Sequence, residues 1–307
     1  MSRATMNINF MAARKPLGLL SFILVIASVV LLSTRGLNLG LDFTGGTNVV
    51  LQNTADIDLA SVRGDLEGAG FNDSVVQHYG SPKEVIISVA PREGEDADQV
   101  GDEVFTAVTR DNPDMTLQKV EFVGPQVGDE LRDQSGVAML MALGMVMLYV
   151  WFRFSNKFGI ASVLALFHDV LITLGLFSLL QWQFDLTVLA AVLALIGYSI
   201  NDSIVVADRV REDFRNSRLT DPVEIVNGAV NVTFSRTINT SLTTMLVLFA
   251  LYFFGGEVMR AFSEALLIGI FVGTYSSIYV VCNFLFVLNV SKDDFLVTPK
   301  EEIDDMP

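Results

Sequence analysis

Asp202 is a carboxylate where carboxylates are costly. It follows 16 uncharged residues, Leu186–Asn201, and precedes five more, Ser203–Ala207. A charge at the centre of a membrane helix costs roughly 2.5–3.5 kcal/mol on insertion-based scales, so such a group faces a partner or a water-filled path. The apolar segment before it carries the pair His168-Asp169, and the one after it opens on Arg236. Ionisable groups in three successive apolar segments supply the parts of a proton path. These are a carboxylate that binds and releases protons, an arginine as its counter-charge, and a histidine able to relay.

Helical spacing groups these residues. Tyr198, Ser199 and Asp202 lie three and four apart and share a helix face, with Asn201 beside them. Arg236, Asn239, Thr240 and Thr243 form one polar stripe on the next segment. Asp202 precedes Arg209 by seven residues, about 10 Å along a helix axis, which is also the depth Arg236 can reach. The same residues also fit a second role, a static ion pair and interhelical hydrogen bonds that hold a bundle together at roughly 0.6–2 kcal/mol each. His168-Asp169, with Thr173 one turn beyond, fits a proton relay and a structural pair equally well. Asp185 and Asp208 fall at segment ends and read as interfacial groups.

The elements that must position these residues are membrane helices. Of 307 residues, 51% are hydrophobic, yet the net charge is −15, so apolar and charged residues are segregated along the chain. Six apolar segments stand out at about 16–34, 134–152, 158–180, 186–207, 237–256 and 262–290. The uncharged runs Pro16–Thr34, Gln134–Phe152, Thr237–Gly256 and Ala265–Ser291 are 19, 19, 20 and 27 residues long. About 20 residues at ~1.5 Å each cross the hydrocarbon core. Twelve Lys/Arg flank these segments on one side, among them Arg14, Lys15, Arg153, Lys157, Arg209 and Arg236; the opposite short loops hold Arg260 alone. Both termini are therefore expected in the cytoplasm. The first segment lacks a small-residue cleavage site at Leu32–Arg35 and reads as an uncleaved anchor.

The long stretch 35–133 is then external. It holds 7 Lys/Arg against 19 Asp/Glu, a solvated acidic surface that would repel nucleic-acid phosphate. Its pattern predicts a strand over Leu39–Gln52, a helix over Asp58–Ala69, strands over Val75–Tyr79 and Glu84–Ala90, a helix over Asp96–Arg110 and a strand over Thr116–Val123. This order, βαββαβ, is ferredoxin-like. The acidic stretch Pro91–Asp98 reads as a flexible loop. The fold class is thus an α-helical polytopic membrane protein of six transmembrane helices, with a ferredoxin-like α+β domain between helices one and two. The expected divisions are a cytoplasmic 1–15, a first helix at 16–34, the external domain at 35–133, the remaining five helices at 134–290 and a cytoplasmic tail at 291–307. An arginine-rich, amphipathic cytoplasmic loop is expected at about 208–236.

Other chemistry finds little support. Cys282 is the only cysteine and sits in the sixth segment, so no disulfide can form within one chain. Two scattered histidines offer no metal-ligand spacing, and no GxxxxGK phosphate loop is present. No cofactor and no covalent catalysis are expected; work would draw on an ion gradient or a partner. Gly269, Gly273 and Ser277 form a small-residue stripe suited to close helix contact.

Several runs together resemble the SecF family of bacterial protein-export membrane proteins, relatives of the resistance-nodulation-division transporters. They are Leu41-Asp42-Phe43-Thr44-Gly45-Gly46-Thr47, Val120-Glu121-Phe122-Val123-Gly124-Pro125, His168-Asp169-Val170, Ile196–Val206, Arg236–Ser241 and Gly273–Tyr279. The resemblance spans nearly the whole chain. It marks Asp42, Phe43, Gly45, Gly46, Gly124 and Pro125 as signature positions and places the family's critical intramembrane aspartate and arginine on Asp202 and Arg236. It implies the bacterial inner membrane with a periplasmic 35–133, SecD as the complementary six-helix half, the SecYEG channel, YajC and an exported polypeptide as partners, and the proton-motive force as energy source. The bottom-up alternatives are a proton-coupled half-transporter for a small substrate, which the missing second repeat disfavours, and a structural scaffold.

Overall fold

The computed structural model describes residues 8–91, 97–110, 112–153, 156–291 and 294. Most of the acidic stretch at 91–98, the first seven residues and the tail beyond 294 lie outside the described residues. Among the described residues, six helices are long and apolar enough to cross a membrane. They are α1 (Arg14–Thr34), α5 (Pro125–Arg153), α6 (Asn156–Leu180), α7 (Leu186–Asn216), α8 (Pro222–Phe254) and α9 (Gly256–Val287). Between α1 and α5 in chain order come β1 (Asn38–Leu39), α2 (Leu41–Thr44), β2 (Gly46–Gln52), α3 (Leu59–Gly68), β3 (Val75–Tyr79), β4 (Ser81–Val89), α4 (Ala97–Thr109) and β5 (Thr116–Val123).

Strands β2–β5 form one sheet in the order β3-β4-β2-β5, every neighbouring pair antiparallel. This is the ferredoxin-like arrangement. Alternation decides its faces: Val49, Leu51, Val85 and Ile87 pack with Val62 and Leu66 of α3 and Val100, Val104 and Val108 of α4. The opposite face, with Asn48, Ile86 and Lys119, looks across a cleft of about 800 Å³ to Trp182, Asp185 and Arg260 of the helical bundle.

The expected single strand over Leu39–Gln52 is broken in two. Gly40 is extended, Leu41–Thr44 makes one helical turn, and Gly45 and Gly46 turn the chain at φ +66° and +117°. Positive φ is open to glycine and closed to most other residues. The crossing is also tight: a Cβ on Gly45 would lie 2.9 Å from Pro125 Cα, and one on Gly46 2.2 Å from the Val89 carbonyl oxygen. Alternating hydrophobicity continues through the turn, which is why the pattern hid it.

Helix α5 begins at Pro125, well before the apolar run that starts at Gln134. Proline tolerates the first helical position because the N–H it lacks would be unpaired there anyway. The expected loop at 208–236 is also largely helical: α7 runs to Asn216 and α8 starts at Pro222, capped by Asp221 Oδ1 accepting from Val223 N at 2.9 Å. Its charges sit on a helix surface, where Arg209 pairs with Glu212 and Asp213 at 3.0 and 2.9 Å. Val210, Phe214, Ile225 and Val226 meanwhile bury an apolar stripe.

Helices α6, α7 and α9 form the centre of the bundle; more than half of each apolar span is buried, against less than a fifth in α1, α5 and α8. Small residues set the spacing. Gly269 on α9 receives Leu195 of α7, and Gly175 on α6 receives Ser28 of α1. At 31 residues α7 is about 46 Å long, more than the ~30 Å hydrocarbon core requires.

Besides the packing of the Gly45 turn on Pro125 and Gly128 of α5, two ties join the sheet domain to the bundle. The first is at the start of α7, where Asn38 and Leu39 pair in parallel with Gln183 and Phe184 of the short strand β6 (Gln183–Phe184). Asp42 Oδ2 accepts from Leu186 N at 3.0 Å, a carboxylate on a helix N-terminus, and Phe43 stacks on Phe184. The second is at the start of α9, where Arg260 donates to the Gly80 carbonyl and, at 3.0 Å, to the Tyr252 hydroxyl.

Candidate functional site

The polar groups of the bundle collect along the α7–α9 seam. Asp202 is 7% exposed, and each of its oxygens has a donor from a different helix. Thr237 Oγ1 of α8 donates to Oδ1 at 2.8 Å, and Ser277 Oγ of α9 donates to Oδ2 at 2.6 Å. Both hydroxyl residues are fully buried. Hydrogen bonds to an ionised acceptor are about twice as strong as neutral ones, so this pair of donors suits a carboxylate held as a charge.

One turn away on α7, Ser199 serves a second carboxylate. Its Oγ donates to Asp169 Oδ2 at 2.5 Å, and His168 Nδ1 lies 2.8 Å from Asp169 Oδ1. Asp169 is fully buried on α6, and Gly273 of α9 passes so close that a Cβ there would sit 3.5 Å from Oδ2. Thr173 Oγ1 donates to the Asp169 carbonyl at 2.8 Å. A third run of hydroxyls crosses the same seam. Tyr198 donates to Ser241 Oγ at 3.2 Å, and Ser241 lies 2.7 Å from Thr274 Oγ1. The face shared by Tyr198, Ser199 and Asp202 thus reaches three helices at once.

Not every expected residue is gathered here. Arg236 makes no direct ion pair with Asp202; its chain neighbour Thr237 is the contact. Arg236, Asn239, Thr240 and Thr243 lie on an exposed side of α8, and Asn201 is exposed on α7. Thr240 and Thr243 return their hydroxyls to their own helix, at 3.0 Å to the Arg236 carbonyl and 2.8 Å to the Asn239 carbonyl. The α8 stripe therefore faces out of this chain. The signature positions form a separate structural group: Asp42 and Phe43 brace the sheet domain on Leu186 of α7 and Phe184 of β6, Gly45 and Gly46 turn the chain against Pro125 and Val89, and Gly124-Pro125 starts α5.

Four contact residues carry no site role in the sequence reading: Thr237, Ser241, Thr274 and Ser277. Ser277 lies on the Gly269/Gly273 stripe, which reads as packing alone. A stripe that lets α7 press on α9 also brings any hydroxyl on it against the polar face of α7, and that was the available signal.

Comparison with known proteins agrees with this architecture. The pattern of the SecD/SecF protein export membrane protein C-terminal family matches residues 103–291, and that of the SecD/SecF GG motif matches residues 30–52. The protein translocase subunit SecF of Pseudomonas aeruginosa is 47% identical over 306 residues, 98% of each chain. The protein translocase subunit SecDF of Thermus thermophilus is 40% identical over 89% of this chain and 37% of its own length. The crystal structure of SecDF from that genus, described as a translocon-associated membrane protein, superposes with a TM-score of 0.84 at 38% identity, covering 94% of this chain and 40% of that one. The chain belongs to the SecD/SecF family of protein export membrane proteins. It spans about two fifths of the SecDF chains, and nearly all of the SecF relative.

Proposed function

We propose that this chain is the SecF half of a SecD–SecF unit that uses the proton-motive force to promote late steps of polypeptide export. The observation that carries the reading is Asp202: a carboxylate sealed in the centre of a family member's bundle, held by hydroxyls from two other helices. Proton binding at Asp202 removes the charge that Thr237 and Ser277 stabilise, so α8 and α9 lose part of their hold on α7. Helices α7 and α9 also grip the sheet domain, through Asp42 with β1–β6 and through Arg260 with Gly80. A shift of α7 against α9 is therefore delivered to the domain outside. One proton crossing 100 mV supplies about 2.3 kcal/mol, enough to bias a two-state movement more than tenfold.

The outward stripe of Arg236, Asn239, Thr240 and Thr243 supports a companion six-helix half, SecD, packed against α8. The SecDF relatives carry this chain's counterpart within one longer polypeptide. Arg236 then sits where the halves meet, able to approach or leave Asp202 as they move. Under this reading the inner membrane holds the unit with both termini cytoplasmic and the sheet domain periplasmic. The SecYEG channel, YajC and the emerging polypeptide are its further partners. The unit has no cofactor and no covalent catalysis.

The test is Asp202→Asn in membrane vesicles that release an exported protein. The expected result is loss of gradient-dependent release with the complex assembled. Release at wild-type rate would leave Asp202 as a packing residue and the scaffold reading in its place.

A further inference from the structure

A groove of about 630 Å³ runs between α1, α6 and α9, away from the Asp202 seam and from the outward face of α8. Its walls are apolar, from Phe22, Val25, Leu164, Phe167 and Phe284. Its mouth is basic. Arg14 and Lys15 stand there, at the first turn of α1, immediately before the uncharged run Pro16–Thr34 begins. Among the described residues no acidic side chain lines it.

Arg14 is held in place and left incomplete. Its carbonyl accepts from Asn283 Nδ2 at 3.0 Å, and its guanidinium lies over the Phe286 ring, 4.4 Å from the centroid. Yet Arg14 Nη1 is buried without an acceptor among the described residues. A buried charged donor with no partner is expensive, and a guanidinium matches a phosphate through paired N–H groups. A second unpartnered polar atom, Nε2 of the 5%-exposed His168, lies on the inner wall. His168 Nδ1 is engaged by Asp169, so Nε2 is the ring atom left for a polar group entering the groove.

One molecule offers both an anion at the hydrocarbon boundary and an apolar body below it. We propose that this groove binds an anionic glycerophospholipid, its phosphate on Arg14 and Lys15 and one acyl chain along Phe22, Leu164 and Phe167. The basic mouth lies on the side of the chain that carries twelve flanking Lys/Arg, where anionic headgroups gather in a bacterial inner membrane. A lipid seated there fastens the peripheral α1 to the central α6 and α9, beside the Asp169 cluster but outside the seam that the proposed export cycle uses.

The experiment is native mass spectrometry of the full-length chain released from nanodiscs holding equal phosphatidylglycerol and phosphatidylcholine. The wild-type chain is expected to retain phosphatidylglycerol over phosphatidylcholine by more than tenfold. Removing each basic charge is expected to reduce that preference about fivefold, so the double variant R14Q/K15Q retains the two lipids nearly equally. Leu164→Trp keeps both charges and fills the groove, and is expected to lose bound lipid of either kind. Inorganic phosphate at millimolar concentration is expected to leave the bound lipid in place. Equal retention by the wild-type chain, an undiminished preference in R14Q/K15Q, full retention in Leu164→Trp, or displacement by inorganic phosphate would each overturn the proposal. If R14Q/K15Q does not insert, Leu164→Trp decides alone.

Discussion

Ser277→Ala removes one of the two donors to Asp202 and nothing else of comparable weight. Ser277 Oγ lies 2.6 Å from Oδ2, and the site is closed, with Asp202 7% exposed and Ser277 fully buried. A hydrogen bond to a charged group contributes about 1.5–3 kcal/mol, so the ionised carboxylate loses stabilisation on that order. At 1.4 kcal/mol per tenfold, an export cycle that must pass through the ionised state slows by roughly ten- to a hundredfold. Thr237→Val, which removes the 2.8 Å donor on Oδ1, has an effect of the same order, whereas Thr237→Ser keeps the hydroxyl and retains most of the activity. The assay is gradient-dependent release of an exported protein from vesicles, with assembly measured on the same membranes. The sharper readout is the dependence on gradient size, because a purely structural defect lowers release at every gradient alike. Unchanged coupling in the Ser277→Ala, Thr237→Val double variant would refute the argument, since Asp202 would then have no close donor on either oxygen.

Three further outcomes follow from the geometry. Gly46→Ala places a methyl 2.2 Å from the Val89 carbonyl oxygen at φ +117°, and strain plus the displaced end of the β2–β4 ladder should cost about 3 kcal/mol or more. Gly124→Ala in the same signature meets no heavy atom within 4 Å and should stay within about 0.5 kcal/mol of wild type; protease resistance of the sheet domain measures both. At the other end, burial acts to raise the Asp294 carboxyl, but hydrogen bonds from Lys157 and from the Ser291 backbone N–H, with the Lys157 charge, outweigh it and hold the carboxyl below its usual range. A depressed folded-state pKa means the Lys157–Asp294 tie is present above the ordinary aspartate value of about 3.9 and is lost as pH falls through the lowered one. A carboxyl-carbon titration should show Asp294 low in the wild type and raised in Lys157→Met; equal midpoints would remove Lys157 as the cause.

The amino-acid sequence by itself determined the architecture. Twenty-residue apolar runs have one stable solution in hydrocarbon, the helix, because every backbone group must be satisfied within the segment. Alternating and helical periods likewise wrote out the βαββαβ order, and basic flanks set an expected orientation. A lone carboxylate in a long uncharged run drew attention to Asp202 for the same reason, its cost of burial. Local signals misled where tertiary contacts prevailed. Charges at 208–236 read as a loop, yet Val210 and Phe214 on one side and Arg209 with its acids on the other made a helix. The Gly45-Gly46 turn hid inside an alternating run because its cause is a crossing with Pro125 and Val89, residues far along the chain. Only the tertiary structure decided the partners of Asp202. Arg236 is the obvious match by charge, but helix rotation puts Thr237 and Ser277 on the carboxylate and turns Arg236 outward. Charge is legible residue by residue, whereas the side of a helix that meets its neighbour depends on how Gly269, Gly273 and Leu195 let α7 and α9 approach. That is a property of the packed pair and of neither segment alone.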